Sequence, residues 1–527
     1  MMPTLNSKQP NILLIVADDL GWSDIGAFGG EINTPHLDEI VSKGVRMTNF
    51  HASPVCSTTR AMLMTGCDHH EVGLGNLAEL MTPLQRNKPG YEGYLNERAS
   101  TLPELLRDGG YLTLMSGKWH LGIEGESPPA SRGFERSFAL MQGEHNHFGL
   151  DQTPETSGFL GTSSYMLDGS KTSYPEGSYS SDVFADYLCN FMEEAKDDER
   201  PIFSYLAFTA PHCPLQAPKA LTEKYKGRYD DGPIALRQRR QARMRELELH
   251  AGEASPAVML DVALWEELDE MKKRKEARKM EVYAAMVEAM DAAIGRVMDT
   301  LADTGRADNC IVVFISDNGP SGVLRETLPG WEDWIASHAN NNIDNIGNPN
   351  SYVSIGPSWA QAQAAPYFLF KRFTTEGGIR TCAIAAGPEI KQRAECREFI
   401  HVMDLVPTLL EFAQVDATPS KGKLPMRGKS ASEPLRGNED GRSVSREPIG
   451  WELGYGRAIF KDGWKAVYLP AAARAISDDL PVEQWLLFNT KEDPGENHDL
   501  AAREPDVLQN LVQAWFEYAH EVGVVIP

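Results

Sequence analysis

Ionisable side chains cluster just after the apolar runs of this sequence. Asn11–Ala17 (Asn-Ile-Leu-Leu-Ile-Val-Ala) is followed by Asp18-Asp19, and Cys310–Ser316 by Asp317-Asn318. Adjacent carboxylates at a strand end repel each other unless a cation lies between them. Asp18, Asp19, Asp317 and Asn318 offer only oxygen ligands, which suit a hard divalent cation, Ca²⁺ or alternatively Mg²⁺. A second set, Arg60, Lys118, His120, His212 and Lys371, supplies positive charge and proton donors. A divalent cation ringed by such groups fits an ester of a tetrahedral oxyanion, sulfate or phosphate, as substrate.

The stretch Ser53–His70 adds a nucleophile to this set. Pro54 stops the preceding segment, Ser57, Thr58 and Thr59 are capping-type residues, Ala61–Met64 favour helix, and Gly66 can end it. Cys56 therefore falls at or just before a helix N-terminus, where free N–H groups and the helix dipole lower a thiol pKa and attract anions. Arg60, one turn later, directs a planar cation towards the same spot. Taken alone, Cys56-x-x-x-Arg60 reads as a buried loop cysteine. Its meaning depends on what converges with it.

The elements that must bring these groups together are legible in outline. Asn11–Ala17, residues 45–50, 111–115, 202–208 and Cys310–Ser316 read as strands, the clearest of them apolar without alternation, as buried parallel strands are. Residues 35–45, 102–108, 182–195, 283–301, 401–413 and 507–518 carry helical spacing. Alternating strands and helices predict an α/β fold with a large, mostly parallel sheet. In such sheets ligands bind beyond the carboxyl ends of the strands. Asp18/Asp19, Cys56/Arg60, Lys118/His120, His212 and Asp317/Asn318 follow five of those strands. Together they predict one site.

Residues 124–180 and 321–365 read as loops over that site, with His145, His147, Trp331, Trp334 and Trp359 shaping a leaving-group pocket. Residues 217–281 are highly charged and read as solvated helices. A Pro/Ser/Lys/Gly-rich stretch over 416–447 reads as a junction. It divides a catalytic domain, 1–415, from a smaller α+β C-terminal subdomain, 416–527, with short antiparallel strands over 451–469 and 485–488.

Bulk properties narrow the partners. A net charge of −24 argues against nucleic acid and anionic membranes, whose long-range fields repel such a chain. Seven cysteines in 527 residues, without a close-spaced framework, suggest reduced thiols. No apolar run reaches the roughly 18 residues of a membrane span, and Asn11–Ala17 is too short for a signal peptide. The expectation is a cytoplasmic enzyme acting on a small molecule. Nothing in the sequence sets an oligomeric state.

Several of these stretches carry a resemblance. Cys56-Ser-Thr-Thr-Arg60, followed by Met-Leu-Met-Thr-Gly, resembles the activation signature Cys-x-Pro-x-Arg of the type I sulfatases, with Thr58 standing where that signature has proline. Val16-Ala-Asp-Asp-Leu-Gly, Gly117-Lys-Trp-His-Leu-Gly, Ala210-Pro-His, Ser316-Asp-Asn-Gly, Thr374-Thr-Glu-Gly-Gly-Ile-Arg and Asp404-Leu-Val-Pro-Thr-Leu-Leu are similar to sulfatase motifs in the same order, over almost the whole chain. The match is nearest to the bacterial-type arylsulfatases of the alkaline-phosphatase superfamily, and it implies that fold. By this resemblance Cys56 is oxidised to formylglycine (3-oxoalanine) by a formylglycine-generating enzyme or equivalent. Asp18, Asp19, Asp317, Asn318 and the residue at Cys56 would bind Ca²⁺. Arg60 would orient the formylglycine, and Lys118 and Lys371 would hold sulfate oxygens. His212 would protonate the leaving alcohol or phenol, and His120 would deprotonate the remaining hydroxyl to expel sulfate.

The implied substrate is a small aryl, or else alkyl, sulfate ester. Three other readings stand beside it: a phosphate or phosphonate ester hydrolase with the same metal and cationic ring, a thiolate enzyme if Cys56 stays unmodified, and a non-catalytic metal- or anion-binding relative.

Overall fold

Every residue of Asn11–Ala17 is buried, and alternate residues of this strand serve two separate cores. Ile12, Leu14 and Val16 pack into one apolar layer, Leu13, Ile15 and Ala17 into the other. A strand covered on both faces needs apolar residues at every position, hence the lack of alternation. Each fully buried side chain of this kind contributes about 1.5–3 kcal/mol. The computed structural model describes residues 9–122, 126–151, 162–249, 259, 263–438 and 447–526.

The strands are β1 (Asn11–Ala17), β2 (Gly44–Met47), β3 (Phe50–His51), β4 (Leu112–Lys118), β5 (Arg136–Leu140), β6 (Tyr165–Leu167), β7 (Ser170–Thr172) and β8 (Ile202–Ala207). They continue as β9 (Cys310–Ser316), β10 (Ala383–Ala386), β11 (Ala394–Cys396) and β12 (Ile400–His401). Ten of them form one sheet in the order β11-β2-β10-β9-β1-β8-β4-β5-β6-β7. Its centre is parallel: Leu14 of β1 lies opposite Tyr205 of β8 and Val313 of β9, and β4 pairs in parallel with β8 and β5. Antiparallel pairings of β10 with β9 and β2, and of β6 with β5 and β7, make the sheet mixed towards its edges. The carboxyl ends of β1, β4, β8 and β9 consequently open on the same edge.

One apolar layer carries the helix Cys56–Thr65, whose ten residues are all buried. The other carries the helix Glu270–Asp303, with Tyr283, Met286, Val287, Met290, Ile294, Val297 and Leu301 against the sheet. Beyond the main sheet, β13 (Ile449–Leu453), β14 (Gly456–Lys461), β15 (Trp464–Tyr468) and β16 (Trp485–Asn489) form an antiparallel four-stranded sheet. Trp515 of the helix Pro505–Val522 packs on its Ile459, Ala466 and Leu487. Trp451 Nε1 donates to Ala52 O at 2.8 Å, so this sheet sits against the segment entering the Cys56 helix.

The structure corrects several local expectations. The single strand expected over 45–50 is two, because Phe50–His51 leaves the main sheet to pair with Ile400–His401. Strand β4 runs on to Lys118, so that lysine ends the strand rather than following it. The loops expected over 124–180 contain β5, β6 and β7, and those over 321–365 contain the helices Trp331–His338 and Pro357–Gln363. The charged 217–281 stretch is only partly solvated. Arg240, 1% exposed, pairs with Asp24 and Glu31, and Glu281 is buried with Arg278. Charge alone does not report exposure when the opposite charge is supplied by a distant segment. Residues 124–125, 152–161, 250–258, 260–262 and 439–446 of these stretches lie outside the described residues. Among the described residues no helix is long and apolar enough to cross a membrane.

Candidate active site

Three cations and three carboxylates meet around Cys56, each cation on its own partner. Arg60 donates from Nε and Nη2 to Asp317 Oδ2, at 2.9 and 2.8 Å. Lys118 Nζ lies 2.7 Å from Asp18 Oδ2, and Lys371 Nζ 2.6 Å from Asp19 Oδ1. These residues come from the ends of β1, β4 and β9, from the helix Cys56–Thr65, and from the loop before Glu376–Ile379. All six are buried. Residues a few hundred apart in sequence meet because parallel strands deliver their carboxyl ends together.

Cys56 opens its helix behind the extended Val55, which supplies no side-chain cap, and Ser57, Thr58 and Thr59 lie within the helix rather than capping it. Its Sγ lies 3.3 Å from His120 Nδ1, and the other ring nitrogen of His120 lies 3.3 Å from Glu79 Oε1. His120 has φ +55°, and Gly143 lies so close beneath its ring that a Cβ there would come within 2.4 Å of Cε1. The imidazole is thus held from both sides. Burial opposes ionisation of Cys56, but Lys118, His120 and Lys371 outweigh it and hold the thiol below its ordinary value. Burial would likewise discharge His120, yet Cys56 and Glu79 raise it to about 9.

His212 behaves oppositely. Burial, with Lys371 and Lys118 nearby, brings it down to about 3 despite Asp19, whose Oδ2 is 3.5 Å from Nε2. Its Nδ1 donates to Cys213 O at 2.7 Å, so Nε2 is the nitrogen turned to the site. Asp19 itself stays ionised: burial works against the charge, but Lys371 and His212 lower it to about 2.

The acidic groups fit a hard cation. Asp18 Oδ1, Asp19 Oδ2 and Asn318 Oδ1 are buried and meet no hydrogen-bond donor, whereas Asn318 Nδ2 is committed to Asp19 Oδ1 at 2.7 Å. Ligand atoms of Asp18, Cys56 and Asp317 lie within 4.8 Å of one another, as do those of Asp18, Asp19 and His212. Unsatisfied buried oxygens of this kind are costly unless a cation accepts them. With oxygen donors dominant, Ca²⁺ or Mg²⁺ suits better than a soft metal.

All ten residues singled out from the sequence lie in this cluster: Asp18, Asp19, Cys56, Arg60, Lys118, His120, His212, Asp317, Asn318 and Lys371. His145 and His147 instead brace the turn behind it. His145 Nε2 meets Thr209 Oγ1 at 2.8 Å, and His147 Nε2 donates to His212 O at 3.0 Å. Trp359 is a core residue against Trp265 and Tyr229, not a pocket wall. Trp331 and Trp334 pack on Tyr352, whose hydroxyl donates to Glu144 at 3.1 Å, and a Glu144 oxygen lies within 4.8 Å of His212. Glu79 and Glu144 escaped the sequence reading. Glu79 follows no strand, Glu144 follows β5, which the sequence reads as loop, and neither shows a motif; only the folded chain puts them beside the two histidines.

Comparison with known proteins shows what the whole chain is similar to. The family model described as Sulfatase matches residues 10–415. An uncharacterized sulfatase of Schizosaccharomyces pombe is 42% identical over 98% of this chain and 95% of its own length. The arylsulfatase of Klebsiella aerogenes is 39% identical over 81% of this chain and 92% of its own. Among solved structures, the PsFucS1 sulfatase from Pseudoalteromonas sp. shares the fold at a TM-score of 0.62 and 21% identity, covering 99% of this chain and 91% of that one. The Ps i-CgsB structure does so at 0.69 and 23%, covering 97% and 93%.

Proposed function

The chain belongs to the sulfatase family and is an enzyme that hydrolyses sulfate esters; on that premise we propose that it cleaves aryl, and secondarily alkyl, sulfates to the alcohol and sulfate, using formylglycine at position 56 and bound Ca²⁺. The observation that carries this is the trio of cation–carboxylate pairs around Cys56. A site that pairs each charge with an opposite one can accept a metal on its carboxylates and an oxyanion on its lysines without leaving a charge unmatched.

Asp18, Asp19, Asp317 and Asn318 would hold Ca²⁺, which as a Lewis acid offsets charge on the sulfuryl oxygens. The hydrated aldehyde of formylglycine would supply a hydroxyl nucleophile and a second hydroxyl whose deprotonation re-forms the aldehyde and expels sulfate with the first hydroxyl's oxygen, without water attacking sulfur. The remaining work belongs to the side chains present. Lys118 and Lys371 turn from Asp18 and Asp19 to the sulfuryl oxygens. Arg60 stays on Asp317 and keeps the start of the helix, and so position 56, in place. Sulfate between the two lysines cancels the charge that, with burial, keeps His212 discharged. Nε2 can then carry the proton that the leaving oxygen needs. With formylglycine at position 56 the thiolate that chiefly raises His120 is gone, so its Nδ1, 3.3 Å from that position, can take a proton there, and Glu79 stabilises the resulting imidazolium.

Conversion calls for a formylglycine-generating enzyme or its equivalent. Cys56, Ser57, Thr58 and Thr59 are at most 2% exposed, so that partner must read the segment before the chain folds. No disulfide joins the described cysteines, which supports a reducing, cytoplasmic setting. We keep the division at residue 415, with the four-stranded sheet and last helix as the C-terminal subdomain.

The test combines mass spectrometry of the peptide spanning Cys56 with turnover of matched aryl sulfate and aryl phosphate. Formylglycine in active protein and faster sulfate turnover are expected. Unmodified cysteine alone in active protein refutes the nucleophile, and preference for the phosphate ester supports the phosphohydrolase alternative.

A further inference from the structure

Lys465 belongs to no segment assigned to the reaction, yet it is a fully buried ammonium at the second position of β15. Its Nζ lies 2.7 Å from Glu376 Oε1 and 2.8 Å from Glu496 Oε1. Glu496 returns the contact, accepting the Glu376 backbone N–H through Oε2 at 2.8 Å. The second oxygen of Glu376 meets His51 Nε2 at 3.0 Å and Arg380 Nη1 at 3.3 Å. Glu376 stands five residues after Lys371, and His51 five before Cys56. The cluster therefore ends on the two segments that deliver the oxyanion-binding lysine and the nucleophile position.

Those segments touch each other and the C-terminal sheet elsewhere too. Arg372 N donates to Pro54 O at 2.8 Å, Thr374 Oγ1 to Arg457 O at 3.1 Å, and Trp451 Nε1 to Ala52 O at 2.8 Å. Buried ion networks often serve only packing. This one differs in where it ends. Without the ammonium, two carboxylates face each other in the interior, and their repulsion favours either uptake of a proton or a shift of the first turn of Glu376–Ile379.

We propose that Lys465 is a positioning residue by which the C-terminal subdomain sets the placement of Lys371, and hence the affinity for the sulfate group. The inference rests on the role given above to Lys371. Because that lysine is 2.6 Å from Asp19, a small displacement of its loop withdraws the ammonium from the carboxylate cluster.

The experiment measures calorimetric binding of inorganic sulfate, in the presence of Ca²⁺, to the full chain carrying Cys56→Ala, so that conversion plays no part. Lys465→Met, the double change Lys465→Met/Glu496→Gln, and Lys465→Arg are compared in that background. The double change removes one charge of each sign, and keeps the protein folded if the single change does not. Sulfate affinity about tenfold weaker in the double variant, with melting temperature near the parent's and partial recovery in Lys465→Arg, is expected. In the convertible enzyme the same double change should raise KM for an aryl sulfate more than it lowers kcat. Equal sulfate affinity in the parent and the double variant overturns the proposal alone. A parent that binds no sulfate overturns the role of Lys371, and the proposal with it.

Discussion

Both nitrogens that Arg60 turns towards Asp317 converge on a single oxygen, Oδ2, leaving Oδ1 to face the Asp19 backbone N–H at 3.3 Å. One carboxylate thus ties the helix Cys56–Thr65 to the ends of β9 and β1. Arg60→Lys keeps the charge but loses the fork, and also the donation from Nη1 to Lys118 O at 3.0 Å. With both partners fully buried and the charge retained, the lost hydrogen bonds should cost about 1.5–3 kcal/mol of stability. Urea unfolding of the two proteins measures it, and a difference under about 1 kcal/mol would show that the pair does not anchor the helix.

Cys56→Ala should separate chemistry from folding. The thiol's hydrogen-bonding contact is His120 at 3.3 Å, so the variant should unfold within about 1 kcal/mol of the parent. Sulfate-ester turnover should fall on the order of 10³-fold or more. Turnover no slower than the parent's would sink the nucleophile assignment.

Lys371→Met removes a cation that pairs with Asp19 and, as proposed, turns to a sulfuryl oxygen when substrate binds. Losing one such electrostatic contact should lower kcat/KM by about 10²–10³-fold and weaken inhibition by inorganic sulfate in parallel. If sulfate inhibition is unchanged, Lys371 serves only to pair Asp19.

Chelation should abolish turnover and lower stability, because Asp18 Oδ1, Asp19 Oδ2 and Asn318 Oδ1 are left buried without a partner. Returning Ca²⁺ at a hundredfold excess over its dissociation constant should restore about 2.7 kcal/mol. Thermal unfolding with and without the ion checks this. Coincident curves would exclude a resident cation at these oxygens.

A pH dependence of stability should arise away from the reaction. Burial would discharge His70, but Asp68 at 2.9 Å and Glu452 at 3.2 Å raise it to about 9. A histidine raised above its unfolded value binds its proton more tightly when folded. Its contribution is therefore complete below pH 6.5 and lost as pH rises through about 9. His70→Gln should cost about 3 kcal/mol at pH 6 and much less at pH 9.5. Urea unfolding at the two pH values decides, and a pH-independent difference would place the stabilisation elsewhere.

How far the sequence could be read follows from how local each signal was. Asp18, Asp19, Asp317 and Asn318 were found because they follow apolar strands directly, and a parallel sheet has one edge to which such ends go. Cys56 and Arg60 share a helix turn, and helix geometry places them without help from the rest of the chain. Glu79 could not be found this way. It lies in a segment without periodicity, and only the path of residues 77–95 brings it to His120. Arg240 reads as solvated for the same reason: its partners, Asp24 and Glu31, lie more than 200 residues earlier.

The sequence by itself determined the alternation of elements, the strand ends that carry ionisable groups, and the chemistry those groups can perform, because strand and helix periods are local properties of the chain. Tertiary structure alone decided which cation meets which carboxylate, that His120 is gripped between Cys56 and Glu79, and that Lys465 reaches Glu376. Such contacts join segments whose separation along the chain is set by folding, and their strength comes from a burial that no local pattern records.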